Sequence, residues 1–185
     1  MSTGRWLGRP TTSSGPLRAR RPRIRRYSRG GCADGQLGRT RASAPGLAAA
    51  GRRLIYQYGP GTGYLATVRS DGGPRLHPVC PVVTMGGPWL FVVPSHRGAD
   101  LERDGRYALH ALTPEEVEEE FRVRGRARRL DDPDLRRQVA AAYHAPVPDD
   151  HTLFALDVER VLHAAYRFPG DWSPTYTRWS EPREA

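Results

Sequence analysis

From Leu54 onward the chain alternates short apolar runs with turn signals, the period-two pattern of strands, and twice changes to helical spacing. Residues 64–69 alternate and end at Ser70-Asp71-Gly72-Gly73, where Asp-Gly and Gly-Gly accept the positive φ of a tight hairpin turn. The next run, 75–84, contains Pro78 and Pro81, which have no N–H to donate, so it is predicted at an edge or an interrupted rim. Residues 85–88 turn the chain into 89–93, an unbroken apolar run that predicts a fully buried strand. A short helix is expected over 99–103, stopped at Asp104-Gly105 with glycine as its cap, and a strand over 107–112.

Residues 120–130 alternate cleanly, with Phe121, Val123, Gly125 and Ala127 on one face and Arg122, Arg124, Arg126 and Arg128 on the other. That arginine face reads either as a solvated strand surface balanced by the acidic cluster at 115–120 or as an anion-binding ladder. Asp132-Pro133 has the form of a helix start, an N-cap followed by proline. Leu135, Val139, Ala142 and Tyr143 then share one face, so this helix is expected over an open end of the sheet. Strands over 152–158 and 160–168 follow, and 169–185 form a tail with two tryptophans, Trp172 and Trp179, expected on or near a partner. The pattern predicts a mainly β protein of the α+β kind, six or seven antiparallel strands and two or three short helices closed into a small barrel.

Residues 1–53 change the picture at the other end. They hold 13 arginines against one acid, Asp34, a formal charge of +12, while 54–185 sum to −3, so the net +9 of the 185-residue chain describes its beginning. With no apolar periodicity there, 1–53 are expected to be disordered. Three readings stay open: an arginine-rich arm that attracts phosphate, an organellar transit peptide, or translation assigned to start too far upstream. Nucleic acid is expected as a partner only through this segment. All 29 basic residues are arginine, the mark of a GC-rich genome. No apolar run approaches the ~18 residues of a membrane span. There is also no apolar core of a secretory signal, and the only cysteines are Cys32 and Cys80, so a soluble protein of the reducing cytoplasm is expected.

Chemistry-bearing patterns are few. No pair among His77, His96, His110, His144, His151 and His163 has the helical spacing of a zinc site, and no metal is expected. Nucleophile elbows, Walker loops and dinucleotide glycine fingerprints are absent. What remains is Ser95-His96-Arg97 at a helix start, where backbone N–H groups, a hydroxyl and a guanidinium favour a phosphate, with Arg75 on a neighbouring strand. The same residues also make an ordinary helix cap with a surface charge. His77 and His96 are acid–base candidates by residue type alone.

These segments in this order resemble the pyridoxamine 5'-phosphate oxidase-like flavin-binding split barrels: Tyr64 through Val79 with its Ser-Asp-Gly-Gly turn, then Trp89 to Val93, then Ser95-His-Arg-Gly-Ala-Asp-Leu101, Asp104 and Ala108. The similarity runs from about Leu54 to Val161 and implies a split antiparallel barrel over 54–168. It further implies that Arg75, with Leu76, His77 and Pro78 on its strand, and Ser95-His96-Arg97 hold the phosphate of FMN. Val79, Val92 and Val93 would supply a desolvated wall, and Glu120 would lie near the flavin ring. The family's strand Arg is followed five residues later by a Lys, where this chain has Cys80. The residues that grip the vitamin phosphate and a C-terminal Arg-x-His have no counterpart. The resemblance therefore implies a homodimeric FMN oxidoreductase with its cofactor at the interface, acting on a small molecule other than pyridoxamine phosphate. A reductase using a deazaflavin coenzyme on the same fold, drawing on Arg122, Arg124 and Arg126, and a non-enzymatic haem or flavin carrier are the alternatives.

Overall fold

The computed structural model describes residues 43–182 apart from Val117. Its strands are β1 (Gly63–Val68), β2 (Pro74–Val79), β3 (Val82–Thr84), β4 (Gly87–Val92), β5 (Arg106–Ala111), β6 (Glu119–Leu130), β7 (Thr152–Ala165) and β8 (Thr175–Ser180). They form one antiparallel sheet in the order β2-β1-β5-β6-β7-β4-β3, with β8 also on β7. Three helices, α1 (Pro45–Tyr56), α2 (His96–Arg103) and α3 (Pro133–Ala141), pack against it. The architecture is the split barrel. The split falls where proline demanded it: the run 75–84 breaks at Cys80-Pro81 into β2 and β3, which form the two ends of the strand order.

Two boundaries differ from the sequence reading. The segment read as disordered to residue 53 gives way at Pro45 to α1, whose Leu47, Leu54 and Ile55 are buried in the barrel core. Its apolar positions are few and separated by alanine, glycine and arginine, so the helix draws its stability from the sheet beneath it. Burial of those three side chains contributes about 2 kcal/mol each. Polar ties add to it: Arg52 Nη1 donates to the Val83 carbonyl (2.6 Å), Gln57 Nε2 to the Leu112 carbonyl (2.6 Å), and Arg53 pairs with Glu119. The rest of the expected disordered segment, 1–42, lies outside the described residues. At the other end, the described part of the tail, to residue 182, carries a strand: β8 pairs with β7 over residues 160–165, and Trp179 is taken up within the chain, its Nε1 donating to Ser43 Oγ (2.8 Å). Trp172 is 82% exposed.

The strands expected over 152–158 and 160–168 are one strand with a bulge. Register runs Arg124↔Arg160 but Gly125↔Val158, leaving Glu159 as the extra residue. The bulge lets β7 bend, so that β4 pairs with its first residues and β8 with its last. Opposite it, Gly125 is required by space: a Cβ there would stand 1.8 Å from the Asp157 carbonyl oxygen.

Strand β4 is buried at every position, as the apolar run predicts for 89–92, whereas Val93, expected in the same buried strand, lies past its end and is 40% exposed. Leu90 and Val92 face the main core, whereas Trp89 and Phe91 face a second core with Val82, Leu153, Ala155 and Val139 of α3. Helix α3 therefore covers the outer face of β4 rather than an open end of the sheet, and Ala142, just past its last turn, is exposed. Asp132 caps it by accepting from the Asp134 and Leu135 N–H groups at 3.0 Å each.

Candidate anion-binding site

Alternation along β2 sorts the predicted residues into two faces. Arg75, His77 and Val79 lie opposite Thr67, Leu65 and Gly63 of β1 and share their inward face, while Leu76 (65% exposed) and Pro78 point outward. Helix α2 begins beside this strand, earlier than the pattern suggested, because Ser95 caps it: Ser95 Oγ accepts from the Gly98 N–H (3.4 Å) and donates to the Val93 carbonyl (2.9 Å). Arg97, in the first turn, donates from Nη1 to the Pro78 carbonyl (3.3 Å), which brings its guanidinium back over β2. The structure thus brings Arg75, His77, Ser95 and Arg97 to one corner, where the strand's inward face meets the helix start.

One residue of this corner carried no functional signal in the sequence. Asp100, only 4% exposed, accepts from Arg75 Nε (2.8 Å), Arg103 Nη1 (3.1 Å) and Thr67 Oγ1 (3.2 Å). Burial works to raise its pKa, but hydrogen bonds from Arg75, Arg103 and Thr67, with the charge of Arg75, hold it below the usual carboxylate range. Arg103 also bonds the Val68 carbonyl, so Asp100 and Arg103 together fasten α2 to β1 and β2. The readable hint was position: Asp100 precedes the buried Leu101 on the sheet-facing side of α2, where a carboxylate requires partners.

Two atoms in this corner are left without partners. Arg97 Nε and His77 Nε2 are buried and make no hydrogen bond. Burial lowers the pKa of Arg97, and burial together with the charges of Arg97 and Arg75 lowers that of His77, against an opposing effect of Asp100. Orphaned buried polar nitrogens of this kind are uncommon and call for an explanation. Their placement among guanidinium groups at a capped helix start fits an anion with several oxygens, and a phosphate meets that description.

The other predicted residues fall elsewhere. Val92 is 1% exposed and packs beneath α2, within 3.5 Å of where a Cβ on Gly98 would stand, so it supports the helix from the core. Val93 is 40% exposed, and His96 is exposed at the first residue of α2. Glu120 is not brought to the corner within one chain. The register Arg75–Thr67–Tyr107–Gly125 runs across the sheet from the cradle, and Glu120 lies five residues further along β6, exposed. A separate cleft of about 310 Å³ opens between Tyr56, Pro81, Tyr143 and His144. Burial and the neighbouring Cys80 push the Tyr143 phenol up. Among the described residues no cluster of His, Cys, Asp and Glu is arranged to hold a metal ion, and no helix is long and apolar enough to cross a membrane.

A family model described as pyridoxamine 5'-phosphate oxidase matches residues 48–164. No curated protein matches the sequence. Among solved structures, a heme binding protein from Mycobacterium smegmatis is similar at 21% identity, covering 82% of this chain and 59% of that one, with a TM-score of 0.52. ChuZ from Campylobacter jejuni is similar at 13% identity over 74% of this chain and 60% of its own, TM-score 0.57. A protein of unknown function from Agrobacterium tumefaciens shows 21% identity over 73% and 62%, TM-score 0.54. The chain spans about three fifths of the length of each of these proteins.

Proposed function

The chain belongs to the pyridoxamine 5'-phosphate oxidase family, and on that premise we propose that it is an FMN-binding oxidoreductase acting on a small molecule other than pyridoxamine phosphate. The observation that carries this reading is the pair of orphaned buried nitrogens, Arg97 Nε and His77 Nε2, beside Arg75 at the capped start of α2. A terminal phosphate offers acceptors to both nitrogens and charge to both guanidinium groups. Bound FMN supplies the redox chemistry through its isoalloxazine. The chain's own residues do the rest: Arg75 and Arg97 neutralise the phosphate, Ser95 keeps the first α2 N–H groups in place, and Asp100, on α2, orients the Arg75 side chain. Cys80, standing where the family's Lys would be, removes one cation from the site and argues for a different substrate.

The proposed assembly is a homodimer with the cofactor at the interface. The outward face of β1 and β2, next to the cradle, exposes Leu76 and Tyr64 (65% and 44%), an apolar surface that a second copy would cover. Sedimentation showing a monomer that retains cofactor would overturn this assembly.

Arg97→Ala tests the cofactor reading. Loss of a charge-assisted contact to phosphate should weaken FMN binding by about 2 to 5 kcal/mol, ~30-fold or more, while riboflavin binds wild type and variant with the same low affinity. Equal FMN affinity for wild type and variant would return Ser95 and Arg97 to the role of a helix cap and a surface charge. A haem-carrying role is the second reading, favoured by the name of the M. smegmatis neighbour. Exposed Arg122, Arg124 and Arg126 on the outward face of β6 suit a deazaflavin with an acidic tail. The spectrum of the cofactor extracted from protein made in its own host separates all three, a Soret band marking haem.

A further inference from the structure

His77 stands in an unusual place for a histidine that has no hydrogen bond at Nε2. On its own strand the neighbours sharing its face are Arg75 and the apolar Val79, and on β1 its register partner is the apolar Leu65. From α2 it faces Arg97 and Asp100, and Asp100 is already engaged by Arg75 and Arg103. Around one imidazole there are thus two guanidinium groups and a single carboxylate that is itself engaged by arginines. Among the described residues nothing accepts a proton-bearing Nε2, and the excess positive charge opposes an imidazolium.

We propose that His77 is the proton-accepting and specificity-determining member of this anion site: neutral while the cradle is empty, it takes one proton from solvent as a phosphate monoester binds, so that the site favours a doubly charged ligand. The inference rests on the phosphate-binding reading above and deepens it. Burial and the arginine charges already hold the imidazole below its ordinary pKa. A phosphate monoester brings a charge of about −1.5 to −2 near neutral pH and three acceptor oxygens. Its arrival reverses the local field and supplies the acceptor that Nε2 lacks, both of which favour the protonated ring. The step is one proton transfer: hydronium or the buffer acid loses its proton, its conjugate base stays in solution, and an N–H bond forms on the imidazole. An uncharged ligand with the same ring system would not draw it in.

The test is calorimetric titration of the whole protein with FMN at pH 7 in phosphate-free buffers of differing ionisation heat, with riboflavin as the uncharged probe. Wild type is expected to take up about half a proton or more per FMN bound, and none with riboflavin. His77→Gln keeps an amide of similar reach but does not titrate. It is expected to bind FMN without proton uptake and to lose the rise in affinity that wild type shows as pH falls from 8.5 to 7. FMN binding to wild type with no proton exchange would overturn the assignment while leaving the phosphate reading intact. Uptake undiminished in His77→Gln would place the proton on another group and overturn the role of His77. Absence of FMN binding to wild type would overturn both. Should His77→Gln fold poorly, imidazole NMR of wild type decides: FMN must move the His77 titration to higher pH, and an unmoved titration refutes the proposal.

Discussion

The buried carboxylate of Asp100 offers the sharpest test of how α2 is held. Asp100→Asn keeps the shape and one oxygen acceptor but removes the charge, and places an amide NH2 near two guanidinium groups. In the folded protein Asp100 accepts three hydrogen bonds at 2.8, 3.1 and 3.2 Å and is 4% exposed. A hydrogen bond to a charged buried group is worth roughly 1.5 to 3 kcal/mol. Arg103 is 41% exposed, so its share is discounted for solvent screening, whereas Arg75 at 29% and the buried Thr67 retain most of theirs. Because the asparagine oxygen keeps one of these two contacts, the net loss expected is about 2 to 3 kcal/mol. With a urea m-value of ~1.5 to 2 kcal/mol/M, the denaturation midpoint should drop by about 1 to 2 M. The pH dependence follows from the depressed pKa. Stability from Asp100 is fully present above the ordinary Asp value of ~3.9 and is lost as pH falls through the lower folded value, because the unfolded chain takes up the proton first. The gap between wild type and variant should therefore close on acidification below about pH 4. A midpoint within ~0.3 M of wild type at pH 7, or a gap that does not close in acid, would show that the three contacts do not fasten the helix.

Gly125→Ala should destabilise by about 2 to 4 kcal/mol, or abolish cooperative melting, because the added Cβ meets the Asp157 carbonyl rather than a movable side chain; a thermal melt within 2 °C of wild type would exclude the tight bulge. A chain starting at Leu54 loses most of α1, including buried Leu47, and should be less stable than one starting at Ser43 by several kcal/mol, on the order of 2 to 5 per large apolar side chain lost; equal urea midpoints would detach the helix from the domain.

Strand periodicity, the hairpin turn at Asp71-Gly72, the capped start of α3 and the edge position of the proline-bearing run are properties of a few neighbouring residues, and all were legible in the sequence. The chain alone also carried the order of motifs that marks the family. It could not show that 152–165 is one bent strand, because a bulge is defined by the opposing strand, and the cue was a glycine at 125 whose need for space exists only when Asp157 lies across from it. Helix α1 escaped notice for the same kind of reason: its apolar face is too sparse to be stable alone and becomes a helix against Phe121, whose ring leaves no room for a Cβ at Gly51. At the candidate site, sequence supplied Arg75, Ser95 and Arg97 by type and spacing. That His77 joins them while Leu76 and Pro78 turn away follows from β2 pairing with β1, and that Asp100 anchors the arginines follows from α2 lying across both strands. Charge and residue type are written locally, but which charges face one another, and which nitrogen is left buried without a partner, is decided only when distant segments pack.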